Sequence, residues 1–245
     1  MFSYNEFRNL INMVQQHLPI IDYKDVKDNT KKFCILRHDI EFSIDRAYKL
    51  AKIEKELGVV STYTVQVRNN TYNALSEKNI NLISKIRNLG HHIGLHQNPP
   101  SSLKLDTLKD YIMRDITILE DSYGFEIDRF AFHRPKKEYL ASYINLDGKI
   151  NCYDNKFFHF FDGEKPEKLN VNYLSDSNHK WKYGYPLDFD FSKINKLQLL
   201  THPFSWSEKG GDNYGNFVSL IRERNDELVN SMNTETNTFP QELLS

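Results

Sequence analysis

Short apolar runs and amphipathic stretches alternate along nearly the whole chain, and no other feature constrains its fold as much. Runs of four to eight apolar residues with β-branched members read as buried strands. Residues 33–39, 59–67, 91–96, 129–133, 150–153, 171–175 and 197–202 are such runs. Helical patterns lie between them. Phe7, Leu10, Ile11 and Val14 share one face of an N-terminal helix over 4–18. Ser43 reads as an N-cap ahead of Ala47, Leu50, Ala51 and Ile53, a helix that Gly58 ends, and a further helix through 81–86 closes at Gly90. Leu108, Ile112, Ile116 and Leu119 place a long amphipathic helix over 105–123. A last helix over 214–232 leaves a polar, loosely held tail from about 233. Alternation of this kind, with about seven strands, predicts a parallel sheet covered by helices. No Gly-rich phosphate loop follows any strand, which argues against an open dinucleotide-binding sheet and for a closed or nearly closed barrel. No Pro/Gly/Ser-rich linker divides the chain, so residues 1–245 read as one domain.

Charge and cysteine usage exclude several functions. The 32 basic and 33 acidic residues nearly cancel, so nothing points to a nucleic-acid or membrane surface. No segment is apolar enough to span a bilayer. The first seven residues lack a basic region followed by an apolar stretch, and a cytoplasmic setting is the expectation. Cys34 and Cys152 both fall in strand-like runs and read as buried free thiols, with a disulfide between them left open. Tyr and Phe dominate the aromatic residues, which suits a large core and a sugar-binding surface alike.

The strand ends carry the chemistry. The first run, Phe33-Cys34-Ile35-Leu36, passes into Arg37-His38-Asp39-Ile40-Glu41. The third is Gly90-His91-His92-Ile93-Gly94-Leu95-His96, and the fourth ends in Phe132-His133-Arg134-Pro135. The sixth ends in Tyr173-Leu174-Ser175-Asp176-Ser177, with Trp181 beyond it, and the last in Leu199-Leu200-Thr201-His202-Pro203. Charged and imidazole groups do not belong in a core unless they are paired or hold something. At the C-terminal mouth of a parallel barrel they line an active site. A lone histidine is more often a satisfied core residue. Five such strand ends in one chain make coincidence a poor account.

In this order the segments resemble those of the polysaccharide deacetylase family, the group that shares a homology domain with the rhizobial chitooligosaccharide deacetylase. The resemblance runs from about Phe33 to Trp206 and is nearest to the branch whose first motif reads Arg-His-Asp-Val-Asp. It implies a distorted (β/α)7 TIM-like barrel. It also implies a metal-dependent hydrolase that removes an acetyl group from an acetylated carbohydrate, acting on carbon–nitrogen bonds in surface-polysaccharide metabolism. By the resemblance Asp39 is the general base, Arg134 the arginine that pairs with it, His202 the general acid and Asp176 the residue that orients His202. Trp181 forms an aromatic wall of the acyl pocket, and Trp206 and His92 join it in substrate binding. The cofactor implied is a divalent cation of the zinc type.

The family holds its cation with one Asp and two His. Here Glu41, or Asp39 in another register, stands at the Asp position and His96 at the first His, but Pro100 occupies the second and cannot coordinate. His92 lies four residues before His96, and four residues on a strand span about 13 Å. On a helix the same spacing is about 6 Å, which is why zinc motifs use helices. His133 is the first candidate for the missing ligand, with His92 and His38 as the others. Two further readings stay open: a carbohydrate-binding barrel that has lost its metal, and a hydrolase of small amides or cyclic ureides.

Overall fold

The computed structural model describes residues 1–100, 102–141, 144–159, 170–182 and 184–244. Seven strands form one sheet: β1 (Phe33–Ile40), β2 (Thr62–Val65), β3 (His92–Gln97), β4 (Arg129–Phe132), β5 (Ile150–Asn151), β6 (Asn172–Ser175) and β7 (Lys196–Thr201). Their order is β5-β4-β3-β2-β1-β7-β6, and every neighbouring pair is parallel. Parallel neighbours need crossovers. Helices α2 (Ile44–Glu56), α3 (Glu77–Asn88), α4 (Leu108–Tyr123) and the short α5 (Lys137–Ala141) supply them from β1 to β5. Helix α1 (Tyr4–His17) precedes the sheet and α6 (Asn213–Glu235) follows it. The α/β barrel expected from the alternation is the fold of this chain.

Strand β1 lies inside the sheet, between β2 and β7, and is buried along its whole length, as expected of a strand covered on both faces. Its side chains alternate between the two faces. Arg37 and Asp39 turn into the barrel, where Arg37 reaches Gln198 of β7. His38 turns outward to α2, with Nε2 2.6 Å from Glu54 Oε1 and Nδ1 2.7 Å from Thr201 Oγ1. That face of α2 exists because Ser43 caps it, accepting from the Arg46 N–H at 3.2 Å, and because Ala47, Leu50 and Ala51 recur at helical spacing. On β3, Gly94 has a structural reason to lack a side chain. A Cβ there would stand 2.8 Å from Cγ of Arg129, which fills the barrel at that level.

The sheet curls without closing. Among the described residues β5 and β6 are its two edges, and side chains bridge the gap in place of a ladder. The Gln198 amide donates to the carbonyls of Cys152 (3.0 Å) and Phe157 (2.8 Å), and the rings of Phe158 and Tyr173 meet edge-on at 5.1 Å. Cys34 and Cys152 are both free and buried, as expected. Three expectations change. The closing helix runs on to Glu235, so the polar tail starts later than residue 233, the second strand shrinks from 59–67 to Thr62–Val65, and the fifth from 150–153 to Ile150–Asn151. No helix among the described residues is long and apolar enough to cross a membrane.

Candidate active site

The C-terminal ends of the strands open into a cleft of about 780 Å³, within the range of ligand pockets. Asp39, Glu41, His96, His133, Arg134 and His202 line it, and Asp176 lies directly behind His202. The expected strand ends therefore meet in one place. Each arrives by the period of its strand: Asp39 and Glu41 continue the inward face of β1, and His96 that of β3.

Asp39 is buried, and its partner is Arg37 of the same strand. Arg37 Nε lies 3.1 Å from Asp39 Oδ1, and Nη2 donates to Oδ2 at 3.3 Å. Thr64 Oγ1 donates to Asp39 Oδ1 at 2.7 Å. Burial opposes the charge of Asp39, but the Arg37 guanidinium, with His96 and His202 beyond it, holds the carboxyl down at about 2. Arg37 is itself fixed by Gln198 Oε1 (2.8 Å) and Tyr153 Oη (2.9 Å). The expectation that Arg134 pairs with the base is thus corrected. Arg134 lies at the end of β4, exposed at the cleft, and makes no ion pair or hydrogen bond among the described residues. Arg37 stands two residues before Asp39 and so shares its face of the strand. That spacing was the signal in the sequence for this partner.

His202 is held from behind. Its backbone N–H donates to both oxygens of Asp176 (2.9 and 3.1 Å), and its Nδ1 lies 2.6 Å from Asp176 Oδ1. The indole N–H of Trp206 donates to Asp176 Oδ2 at 2.9 Å. Burial disfavours a charged imidazole, yet the hydrogen bond and charge of Asp176, with Glu41 and Asp39, push His202 up to about 9. Its Nε2 faces Glu41 Oε1 at 3.8 Å.

Glu41, His96 and His133 bring one ligand atom each to within 4.8 Å of one another. His133 Nδ1 lies 3.0 Å from Glu41 Oε1 and 3.2 Å from His96 Nε2. Two nitrogens bound tetrahedrally at about 2.0–2.1 Å from zinc stand about 3.3–3.4 Å apart, so the spacing fits such an ion. Burial, with Asp39 pulling the other way and His133 reinforcing it, holds the His96 imidazole down at about 4. It is therefore neutral at pH 7 and able to ligate. Its Nδ1 is buried with no hydrogen-bond partner. Burial opposes the Glu41 charge, but the hydrogen bond from His133 and the nearby imidazoles lower its carboxyl below the ordinary range. His38, engaged with Glu54 and Thr201 on the outer face, is not available to this group.

Three residues expected at the substrate lie elsewhere. His92 sits at the opposite end of β3, 3.6 Å from Asp22, because its strand carries it a barrel's depth from His96. Trp206 is buried and holds Asp176. Trp181 stacks on Phe2 at 6.2 Å and meets Trp206 edge-on at 6.4 Å. The aromatic wall of the cleft is made instead by Phe132, Tyr153, Phe158 and Tyr173. Their sequence signal is ordinary, since aromatic residues at strand ends serve cores as often as clefts.

No family model and no curated protein sequence matches the chain. Solved structures similar to it include a family 4 carbohydrate esterase from Bacillus anthracis, 14% identical over 91% of this chain and 86% of that one, with a TM-score of 0.45. The chitin deacetylase of the fungal pathogen Colletotrichum lindemuthianum is 18% identical over 80% of this chain and 84% of its own, with a TM-score of 0.45. A family 4 acetyl xylan esterase from Clostridium thermocellum, in complex with a cobalt ion, is 12% identical over 78% and 84%, with a TM-score of 0.46.

Proposed function

We infer that this protein is a metal-dependent hydrolase that removes an acetyl group from an acetylated carbohydrate. One observation carries the reading. A carboxylate held ionised, a histidine poised to carry a proton and a three-residue cation site share one cleft. A divalent cation of the zinc type, held by Glu41, His96 and His133, would supply Lewis acidity to a water and to the acetyl carbonyl.

The chain's own groups supply the rest. Asp39, ionised and aimed by Arg37 and Thr64, accepts a proton from the attacking water. Water oxygen joins the acyl carbon, the bond from that carbon to the sugar nitrogen breaks, and acetate and a free amine result. His202 enters protonated and gives its Nε2 proton to the departing nitrogen. Asp176 keeps the opposite ring nitrogen occupied, so that Nε2 is the atom facing the cleft. The aromatic wall of Tyr153, Phe158 and Tyr173 offers apolar faces to a sugar ring.

The test is acetate release from a panel of acetylated sugars by protein stripped with a chelator and reloaded with zinc or cobalt. Activity is expected to track one bound ion per chain. Acetate release that persists undiminished after stripping would sink the metal-dependent reading.

A further inference from the structure

Two carboxylates line the cleft among the described residues, and both are answered by the site itself. Asp39 is matched by Arg37, and Glu41 by His133 and His202. The other two charged residues on the lining among the described residues, Arg134 and Lys182, are cations, and of these Lys182 has a partner of its own. Arg134 is exposed there without an ion pair or hydrogen bond among the described residues, because Arg37 has taken the place beside the base. A neutral acetylated sugar offers a guanidinium no charge to pair with. A carboxylate or phosphate offers it a planar, two-pronged match.

The backbone points the same way. Arg134 has φ 47°, in the left-handed region, directly before Pro135. A residue other than glycine is uncommon there, and a following proline disfavours helical backbone further. Strained positions of this kind cluster at active sites, ligand clamps and switch regions. In this chain the position lies where β4 ends, one residue after the metal-site candidate His133.

We propose that Arg134 is an anion-recognition residue and that the substrate is an acetylated sugar carrying a carboxylate or phosphate group. This deepens the hydrolase reading by naming its substrate class, and it is tested without turnover. Binding of N-acetylglucosamine, N-acetylglucosamine 6-phosphate and N-acetylglucosaminuronic acid is measured by calorimetry on the full-length, metal-stripped protein. Stripping removes the ion as a rival anion site. One of the two anionic sugars is expected to bind about ten- to a hundred-fold more tightly than the neutral one, the scale of a charge-assisted hydrogen bond. Which of them does so tells phosphate from carboxylate. Arg134→Gln should abolish the advantage, and Arg134→Lys should retain part of it. Equal affinities in the native protein, or an advantage that survives Arg134→Gln, would overturn the proposal. If the anion preference holds but no acetylated sugar is hydrolysed, the hydrolase reading fails and the anion site stands. Hydrolysis of neutral sugars with no anion preference means the reverse.

Discussion

The two ends of this barrel are built from the same residue types to opposite effect. At the mouth, Asp39, Glu41, His96, His133 and His202 crowd one cleft, and a buried ring nitrogen of His96 makes no hydrogen bond, with Asp39 Oδ2 3.7 Å away. At the floor, Arg129 lies between two carboxylates. Its guanidinium donates to Asp128 through Nε (2.7 Å) and Nη2 (3.1 Å), to Asp22, and to Thr62 Oγ1 at 2.7 Å, with His92 beside Asp22. At the floor the Arg129 guanidinium is matched by carboxylates and a hydroxyl, while at the mouth His96 Nδ1 and Arg134 make no hydrogen bond among the described residues. Paired charges serve the fold. Charges held without full pairing are available to a ligand.

Four substitutions would break or sharpen this contrast. Asp39→Asn at the mouth should cut turnover by roughly 10²–10⁴-fold, the scale of general-base catalysis, while the melting temperature shows the fold retained. Near-full turnover would remove Asp39 from the chemistry. His133→Ala should lower metal affinity by at least about 10–100-fold, since even groups that only support a ligand cost that much. Metal analysis after dialysis checks this, and unchanged occupancy would exclude His133 as a ligand.

At the floor the effect should fall on stability. Burial opposes the charge of Asp128, but the hydrogen bonds and charge of Arg129, then Lys24, hold its carboxyl down at about 2. A carboxyl depressed in the folded state stabilises above its unfolded pKa of about 3.9 and loses that contribution as pH falls through 2. The stake is on the order of 2 kcal/mol. In urea titrations between pH 5 and 2, the native protein should lose stability more steeply than Asp128→Asn. Parallel curves would show that the floor pairing contributes little. The smallest effect belongs to His92→Gln, which should change turnover less than about two-fold, within the range of surface substitutions. A large loss would place His92 back at the substrate.

What the sequence revealed, and what it hid, follows from what strand periodicity encodes. Polar groups at the ends of apolar runs marked Asp39, Glu41, His96, Asp176 and His202 as neighbours, because parallel strands deliver their C-terminal ends to one side. Alternation gives the face of a strand but not the depth along it. His92 and His96 share a face of β3, and only the rise of about 13 Å over four strand residues sets them apart; nothing in the alternation tells which level of the barrel meets the substrate. Trp181 and Trp206 follow strand ends in segments without a period, so nothing local told core from cleft. Arg37, two residues before Asp39 and so on its face of β1, was marked as its partner by that same alternation, whereas the left-handed backbone at Arg134 leaves no such mark.

The place of strand β1 inside the sheet also has a consequence for how the chain is made. Strand β1 pairs on one side with β2, which follows it closely, and on the other with β7, where Gln198 beside Arg37 comes 161 positions later. At about 5–20 residues per second, roughly 8–30 s of translation separate the two. Through that interval β1 carries a row of unpaired amides and carbonyls, a template for pairing with another chain. The ribosome therefore delivers the base long before the acid, and the edge of β1 stays open until both are present.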